Sequence, residues 1–196
     1  MLIKPQPADI WTMRTVTLRH LSLVPLLAMG VLALAGLLVP GYSILSQHMS
    51  ELGLLQGWPR WVERSAAVIS GAAILVFSVA LLAHGSRFAC SALTSALFAA
   101  CMISNGVFTT GSPLHGLYGI GMFSVLTPLL FISELGQAGS AWLRLASRGI
   151  SLIGVLYLWM MVCGFDPAAY RGLTQRLAAL PAFAWYALAA IELRRA

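Results

Sequence analysis

The stretch VERSAAVISGAAILVFSVALLA, Val62–Ala83, decides the fold. It is a continuous, mostly apolar run of the roughly 20 residues that a helix rising about 1.5 Å per residue needs to cross a hydrocarbon layer of about 30 Å. Apolar and polar positions do not alternate strictly along it, so it does not read as a barrel strand. Backbone polar groups cannot be left unpaired in lipid, and a transmembrane helix satisfies them internally.

Outward from this run, five further stretches reach that length or come close: Leu21–Val39, Phe88–Phe108, Gly116–Ser133, Gly149–Phe165 and Leu173–Ile191. The Gly116 and Gly149 stretches are short and contain glycine, so their ends are fixed only to within several residues. The expected fold is all-α: a polytopic transmembrane bundle of six helices over residues 21–191, preceded by a cytoplasmic segment 1–20 and followed by a cytoplasmic tail 192–196. The first run is longer than the 7–15 apolar residues of a signal peptide and no A-x-A site follows it, so it is expected to stay as helix one.

Composition agrees. Of 196 residues, 59% are apolar and only 9% charged, against about half and about a quarter in soluble domains. So few ionised groups cannot cover a soluble surface of this size, which excludes a soluble enzyme, a disordered segment and a disulfide-stapled domain. The net charge of +6 is carried almost wholly by arginine, Lys4 being the only lysine.

Basic residues beside spans set orientation. With the N-terminus inside, the inner segments hold Lys4, Arg14, Arg19, Arg87, Arg144, Arg148, Arg194 and Arg195, and the outer ones Arg60, Arg64, Arg171 and Arg176. Eight against four predicts both termini in the cytoplasm (N-in/C-in) and a multi-pass protein of the plasma (inner) membrane. Topology and anionic headgroups account for the positive charge, so no nucleic acid is expected as partner. Trp11, Trp58, Trp61, Trp142 and Trp185 lie near span ends, where indole rings anchor. Cys90, Cys101 and Cys163 form no C-x-x-C and read as small thiols buried between helices.

Polar residues gather on the three outer connections: PGYSILSQHMSELG (Pro40–Gly53), TTGSPLHG (Thr109–Gly116) and FDPAAYRGLTQR (Phe165–Arg176). On a helix, Ser46, Gln47, His48, Ser50 and Glu51 would fill an arc of roughly 200°, which predicts a short amphipathic helix at the outer interface. His48 and Glu51, three apart, would share a face, and a packed bundle would bring them towards His115, Asp166, Arg171, Gln175 and Arg176. The candidate ligand-binding set is therefore Ser46, His48, Ser50, Glu51, His115, Asp166, Arg171, Gln175 and Arg176.

Three chemistries compete for these groups. Two histidines and a carboxylate suit a transition metal, but no two histidines stand at i, i+4; no metal is expected, and His48, His115 and Glu51 come nearest to a ligand set. A hydrolase would take Ser46 or Ser50 as nucleophile, His48 or His115 as base and Glu51 or Asp166 as orienter, without any G-x-S-x-G. Arg171 and Arg176 could instead pair with Asp166 and Glu51, or receive an anionic headgroup bidentately. No cofactor is expected. The spans hold no facing histidines for haem, and Gly116, Gly119 and Gly121 follow no strand, so they read as packing glycines. Ser91, Ser95 and Ala99 make a small-residue packing stripe.

Ser50-Glu51-Leu52-Gly53 recurs as Ser133-Glu134-Leu135-Gly136. Each copy follows the first helix of a three-helix half, as a 3+3 inverted repeat would place it. In a chain this rich in Leu, Ala, Gly and Ser, about one such match arises by chance.

Pro40-Gly41-Tyr42 followed by Ser46 and Ser50-Glu51-Leu52-Gly53 resembles the first-loop signature of the domain-of-unknown-function 998 family. His115-Gly116, and Gly172 with Gln175-Arg176, are similar to two further features of it, and the resemblance runs from Leu21 to Ile191. It implies a small polytopic membrane protein, of a mostly prokaryotic family without an established activity. The leading expectation is an outer polar site, centred on Ser50, Glu51, His115, Gln175 and Arg176, that binds, senses or moves a lipid-like or small polar ligand. A membrane-embedded lipid hydrolase or transferase using Glu51 and His115, with Ser50 as a further catalytic candidate, is the second reading. A structural subunit of a membrane complex, as partner chain or homo-oligomer, is the third.

Overall fold

The computed structural model describes residues 7–193. The side chains of 7–20 and of Tyr118 fall outside the described residues, which takes in Trp11, Arg14 and Arg19; Lys4, Arg194 and Arg195 fall outside altogether. The helices are α1 (Pro7–Ala35), α2 (Trp58–His84), α3 (Ala89–Val107), α4 (Tyr118–Gly121), α5 (Thr127–Leu135), α6 (Ala141–Val162) and α7 (Arg171–Leu193). No strand occurs among the described residues. Six segments are long and apolar enough to cross a membrane: Leu21–Leu38, Trp58–His84, Ser86–Val107, Gly119–Ala138, Ala141–Val162 and Arg171–Leu193. The chain is a multi-pass helical membrane protein.

The spans close into a ring in chain order. Each packs on the next, the fourth through α5, and α7 returns to α1. The α2–α3 contact is the closest because small residues line it. A Cβ on Gly71 would fall 2.7 Å from the Ala99 carbonyl oxygen, and one on Gly106 would fall 2.6 Å from that of Arg64. Ser70 of α2 and Ala92 and Ala99 of α3 are fully buried, and Ser78 Oγ donates to the Ala92 carbonyl across the contact at 2.6 Å, as close backbone approach through small residues allows. Of the expected packing stripe, Ala99 meets α2, while Ser91 bonds to Glu134 of α5. Aromatic rings fill the middle of the ring of helices. Phe77 meets Tyr186 edge-on at 5.2 Å and Phe131 meets Trp185 edge-on at 5.4 Å, the geometry that ring quadrupoles favour.

Four sequence expectations need correction. Trp185 is not an interfacial anchor: it is buried, and its indole N–H donates to Ser147 Oγ at 2.8 Å. Cys90 and Cys163 are exposed, and only Cys101 is buried. The fourth span is not one helix. A 3-10 stretch, Met122–Leu126, separates α4 from α5. Pro128 explains the break: it has no N–H for the Ser124 carbonyl four residues back, and its ring would crowd that carbonyl. The Thr127 N–H bonds to Ser124 instead, closing a three-residue turn.

The amphipathic helix expected in the first connection is also absent. Residues 44–46 form a turn and 47 a bend, followed by a 3-10 helix, Met49–Leu54. The carbonyls that a helix would bond internally are taken by distant groups. Leu45 O accepts from Leu173 N, Ser46 O from Arg171, and Ile44 O and Gln47 O from Arg176. Tertiary acceptors thus override the local pattern.

The two Ser-Glu-Leu-Gly copies do different work. Glu51 turns back to accept from its own His48 N–H at 2.9 Å. Glu134 accepts from the Cys90 N–H at 2.8 Å and from Ser91 N and Oγ, capping the first turn of α3. A carboxylate there satisfies orphan N–H groups and complements the helix dipole. Glu134→Gln should lower stability by about 1–2 kcal/mol, read as a lower thermal midpoint in detergent; an unchanged midpoint would remove this capping role.

Candidate functional site

The connections 39–57, 108–117 and 163–170 meet at one end of the bundle, here called the polar end. Arg176 in the second turn of α7 organises it and is 8% exposed. Its Nη1 donates to the carbonyls of Ile44 at 2.7 Å, Gln47 at 3.0 Å and Gly172 at 2.8 Å, and its Nη2 donates to Tyr42 Oη at 2.8 Å. Tyr42 passes its own O–H to the His48 carbonyl at 2.9 Å. Burial pushes the Tyr42 phenol above its ordinary pKa while the Arg176 guanidinium pulls it down, so the phenol stays neutral and able to donate. The planar guanidinium fork is what lets one side chain hold carbonyls from two segments.

Gly172 permits this approach. A Cβ at this position would fall 2.2 Å from the Gln47 oxygen and 2.7 Å from the Ile44 oxygen. One turn on, Gln175 Oε1 accepts from the Met49 N–H at 2.7 Å. Arg171 Nε donates to the Ser46 carbonyl at 2.7 Å and its Nη2 lies 3.3 Å from Glu51 Oε1. Asp166 accepts from Thr174 Oγ1 at 2.8 Å and stands 3.6 Å from His48 Nε2, beyond hydrogen-bond length.

His115 ties the second connection to the first. It is buried, with Nδ1 2.8 Å from the Phe108 carbonyl and Nε2 3.3 Å from Thr110 Oγ1; Thr110 in turn donates to the Ser50 carbonyl at 3.2 Å. All nine candidate residues therefore stand in or beside one network, Ser46 and Ser50 through their carbonyls. Among the described residues no group of three His, Cys, Asp or Glu is placed to hold a metal ion.

Sequence reasoning passed over Glu63, which is 4% exposed in the second turn of α2. Its Oε2 would lie 2.6 Å from a Cβ on Gly53, so the first connection is seated on the carboxyl group. Among the described residues no donor reaches that carboxyl, because its neighbour Arg64 turns away to the Gly106 and Val107 carbonyls at the end of α3. The signal was available: Glu63 is the only acidic residue in the stretch that decides the fold, and an ionisable group inside a span is a functional candidate in itself. Thr110 and Thr174 were passed over as well, since nothing local marks them, and Tyr42 entered only as part of the first-loop signature.

Below the polar end lies a cavity of about 260 Å³, walled by α3, the broken fourth span, α6 and α7. Phe98, Val125, Leu158, Met161 and Trp185 give it an apolar lining, and among the described residues no charged side chain reaches it. Gly116, next to His115, and Ala178, two residues past Arg176, belong to its wall, so the polar network borders the cavity. Two polar side chains of the wall carry buried atoms without partners, Asn105 Oδ1 and Thr127 Oγ1.

A family profile described as "Protein of unknown function (DUF998)" matches residues 22–192. No curated protein and no solved structure matches the chain.

Proposed function

The chain belongs to the DUF998 family, whose description carries no activity, and from its geometry we propose that it binds a lipid-like ligand in the cavity beneath its polar end. On this reading residues 21–191 are one transmembrane domain between cytoplasmic segments 1–20 and 192–196. The polar end faces away from the cytoplasm, in the plasma (inner) membrane.

The observation that carries the proposal is the fourth span. A departure from α-helix at membrane depth is tolerated where local 3-10 bonds re-satisfy the backbone or where the stretch lines a cavity, and Met122, Ser124 and Val125 of the 3-10 stretch, with Gly121 just before it, line this one. An apolar pocket with a few polar groups is the common form of a small-molecule site. The nine polar-end residues then act as the frame that holds three connections over the cavity. Binding is favoured over hydrolysis because the groups a hydrolase would need are occupied. Glu51 is engaged by the His48 N–H and Arg171, and His115 by Phe108 and Thr110.

The test uses a variant with Trp185 as its sole tryptophan, reconstituted in nanodiscs and titrated with 1-bromooctane. Quenching is expected to saturate, and Ala182→Phe, which fills the cavity wall, is expected to weaken it about tenfold with little change in thermal midpoint. Quenching that rises linearly and ignores Ala182→Phe would remove the cavity site.

A further inference from the structure

The cavity has a closed side and an open side. Cys101, Trp185 and Tyr186 form its floor, and all three are buried. Met122 and Val162 belong to the same wall, yet they are 44% and 76% exposed. A wall that runs from buried to exposed residues is a pocket with a mouth, here between the 3-10 stretch of the fourth span and the end of α6. Both flanks of this mouth are loosely held. The stretch Met122–Leu126 has no buried residue, and the buried residues of α6 are Leu143, Ser147 and Ser151, all in its first half. The flanks meet where Gly154 faces Val125: a Cβ on Gly154 would fall 3.0 Å from Val125 Cγ1. That contact is a sill, with the mouth on its polar-end side and Ile150 and Pro128 of the wall beyond it.

Position and shape narrow the occupant. Met122 and Val162 belong to segments apolar enough to cross a membrane, and Phe123 and Trp159 beside them are exposed. The mouth therefore faces lipid. On α6 the wall extends from Ile150 to Val162, about 18 Å of helix at about 1.5 Å per residue. The pocket is elongated along the spans, which is the direction of the lipid chains around it. Among the described residues no Arg, Lys, His, Asp or Glu lines it, so a charged head inside would lose its hydration without gaining a counter-ion.

We propose that the cavity takes one acyl chain of a bilayer glycerolipid, which enters sideways through this mouth and leaves its headgroup outside at the polar-end interface. That the cavity is the ligand site is the premise; what is added is the class of ligand and its route. Lipid tails are as apolar as the wall, so hydrophobicity alone gives the chain no reason to leave its neighbours. The gain is van der Waals contact: an unfilled wall has no partner atoms on one side, and a chain supplies them. Selection then falls on the chain and not on the head.

The experiment places the Trp185-only protein in nanodiscs where phosphatidylcholine brominated midway along one chain replaces the ordinary lipid stepwise, with 1-bromooctane as the control for the cavity itself. The brominated lipid should quench Trp185, and Ala182→Phe should reduce that quenching about threefold by removing the space for contact. Brominated phosphatidylglycerol should match phosphatidylcholine, and acrylamide, which arrives from water, should leave Trp185 bright. A Trp159-only protein reports the lipid-facing side of α6 and should be quenched equally with and without Ala182→Phe. Saturable quenching by 1-bromooctane without any Ala182-dependent quenching by the brominated lipid overturns the chain and its route and leaves the cavity site standing. Ready quenching by acrylamide overturns the sideways route, quenching that follows the headgroup overturns its exclusion, and an equal fall at Trp159 overturns the cavity as the chain's location. Absence of saturable quenching by 1-bromooctane removes the site, and the inference with it.

Discussion

Arg176→Met is expected to lower stability by about 3–5 kcal/mol and to open the first connection. Each buried acceptor left without a donor costs about 1–3 kcal/mol. The substitution strips the guanidinium from the Ile44, Gln47 and Gly172 carbonyls and from Tyr42. Part of the loss is recovered because Tyr42 Oη still lies 3.2 Å from the Gln47 carbonyl. Arg176→Lys keeps the charge but not the fork, so it should retain only part of the stability. The measurement is a denaturant titration in bicelles, paired with amide exchange over residues 42–52. Exchange there should rise at least tenfold in Arg176→Met while α2 and α3 stay protected. Uniform protection across the chain would show that the network is incidental to the first connection.

Gly172→Ala should cost about 3 kcal/mol, at the upper end of overpacking effects. The added methyl would meet two backbone oxygens, at 2.2 and 2.7 Å, and neither can swing aside as a side chain could. The first connection must retreat from α7, which weakens the Leu173 N–H bond to Leu45 and lengthens the Arg176 bonds together. The same two assays apply. Combining the two substitutions should cost much less than their sum, because both act on one contact. Additive losses would mean that glycine serves α7 alone.

The six spans are legible because burial in lipid needs only length and apolarity, both written locally in runs such as Val62–Ala83. The polar end is legible as a collection of residues and not as a geometry. Helical periodicity mispredicts residues 46–53 because the deciding acceptor bonds come from α7, more than 120 positions away. The break in the fourth span has a local sign, Pro128, that apolarity conceals. The cavity has none: its wall is drawn from four spans, and Asn105 and Thr127 look like ordinary polar residues until their oxygens are found unpaired. Trp185 shows the same limit. Indole near a span end reads as an anchor, and only the position of Ser147 on α6 reveals an inward hydrogen bond.

The clasp between Arg176 and the first connection also bears on how the chain is made. Synthesis runs from the N-terminus, so residues 42–48 leave the ribosome with α1, while the guanidinium that satisfies them arrives about 130 residues later, with the last helix. Until then the first connection holds a row of unanswered carbonyls. A product that ends before Arg171 would keep them, whereas a chain that includes α7 conceals them on closing. The carbonyls of the first connection are therefore answered only once α7 has been made, and closure of the polar end falls late in synthesis.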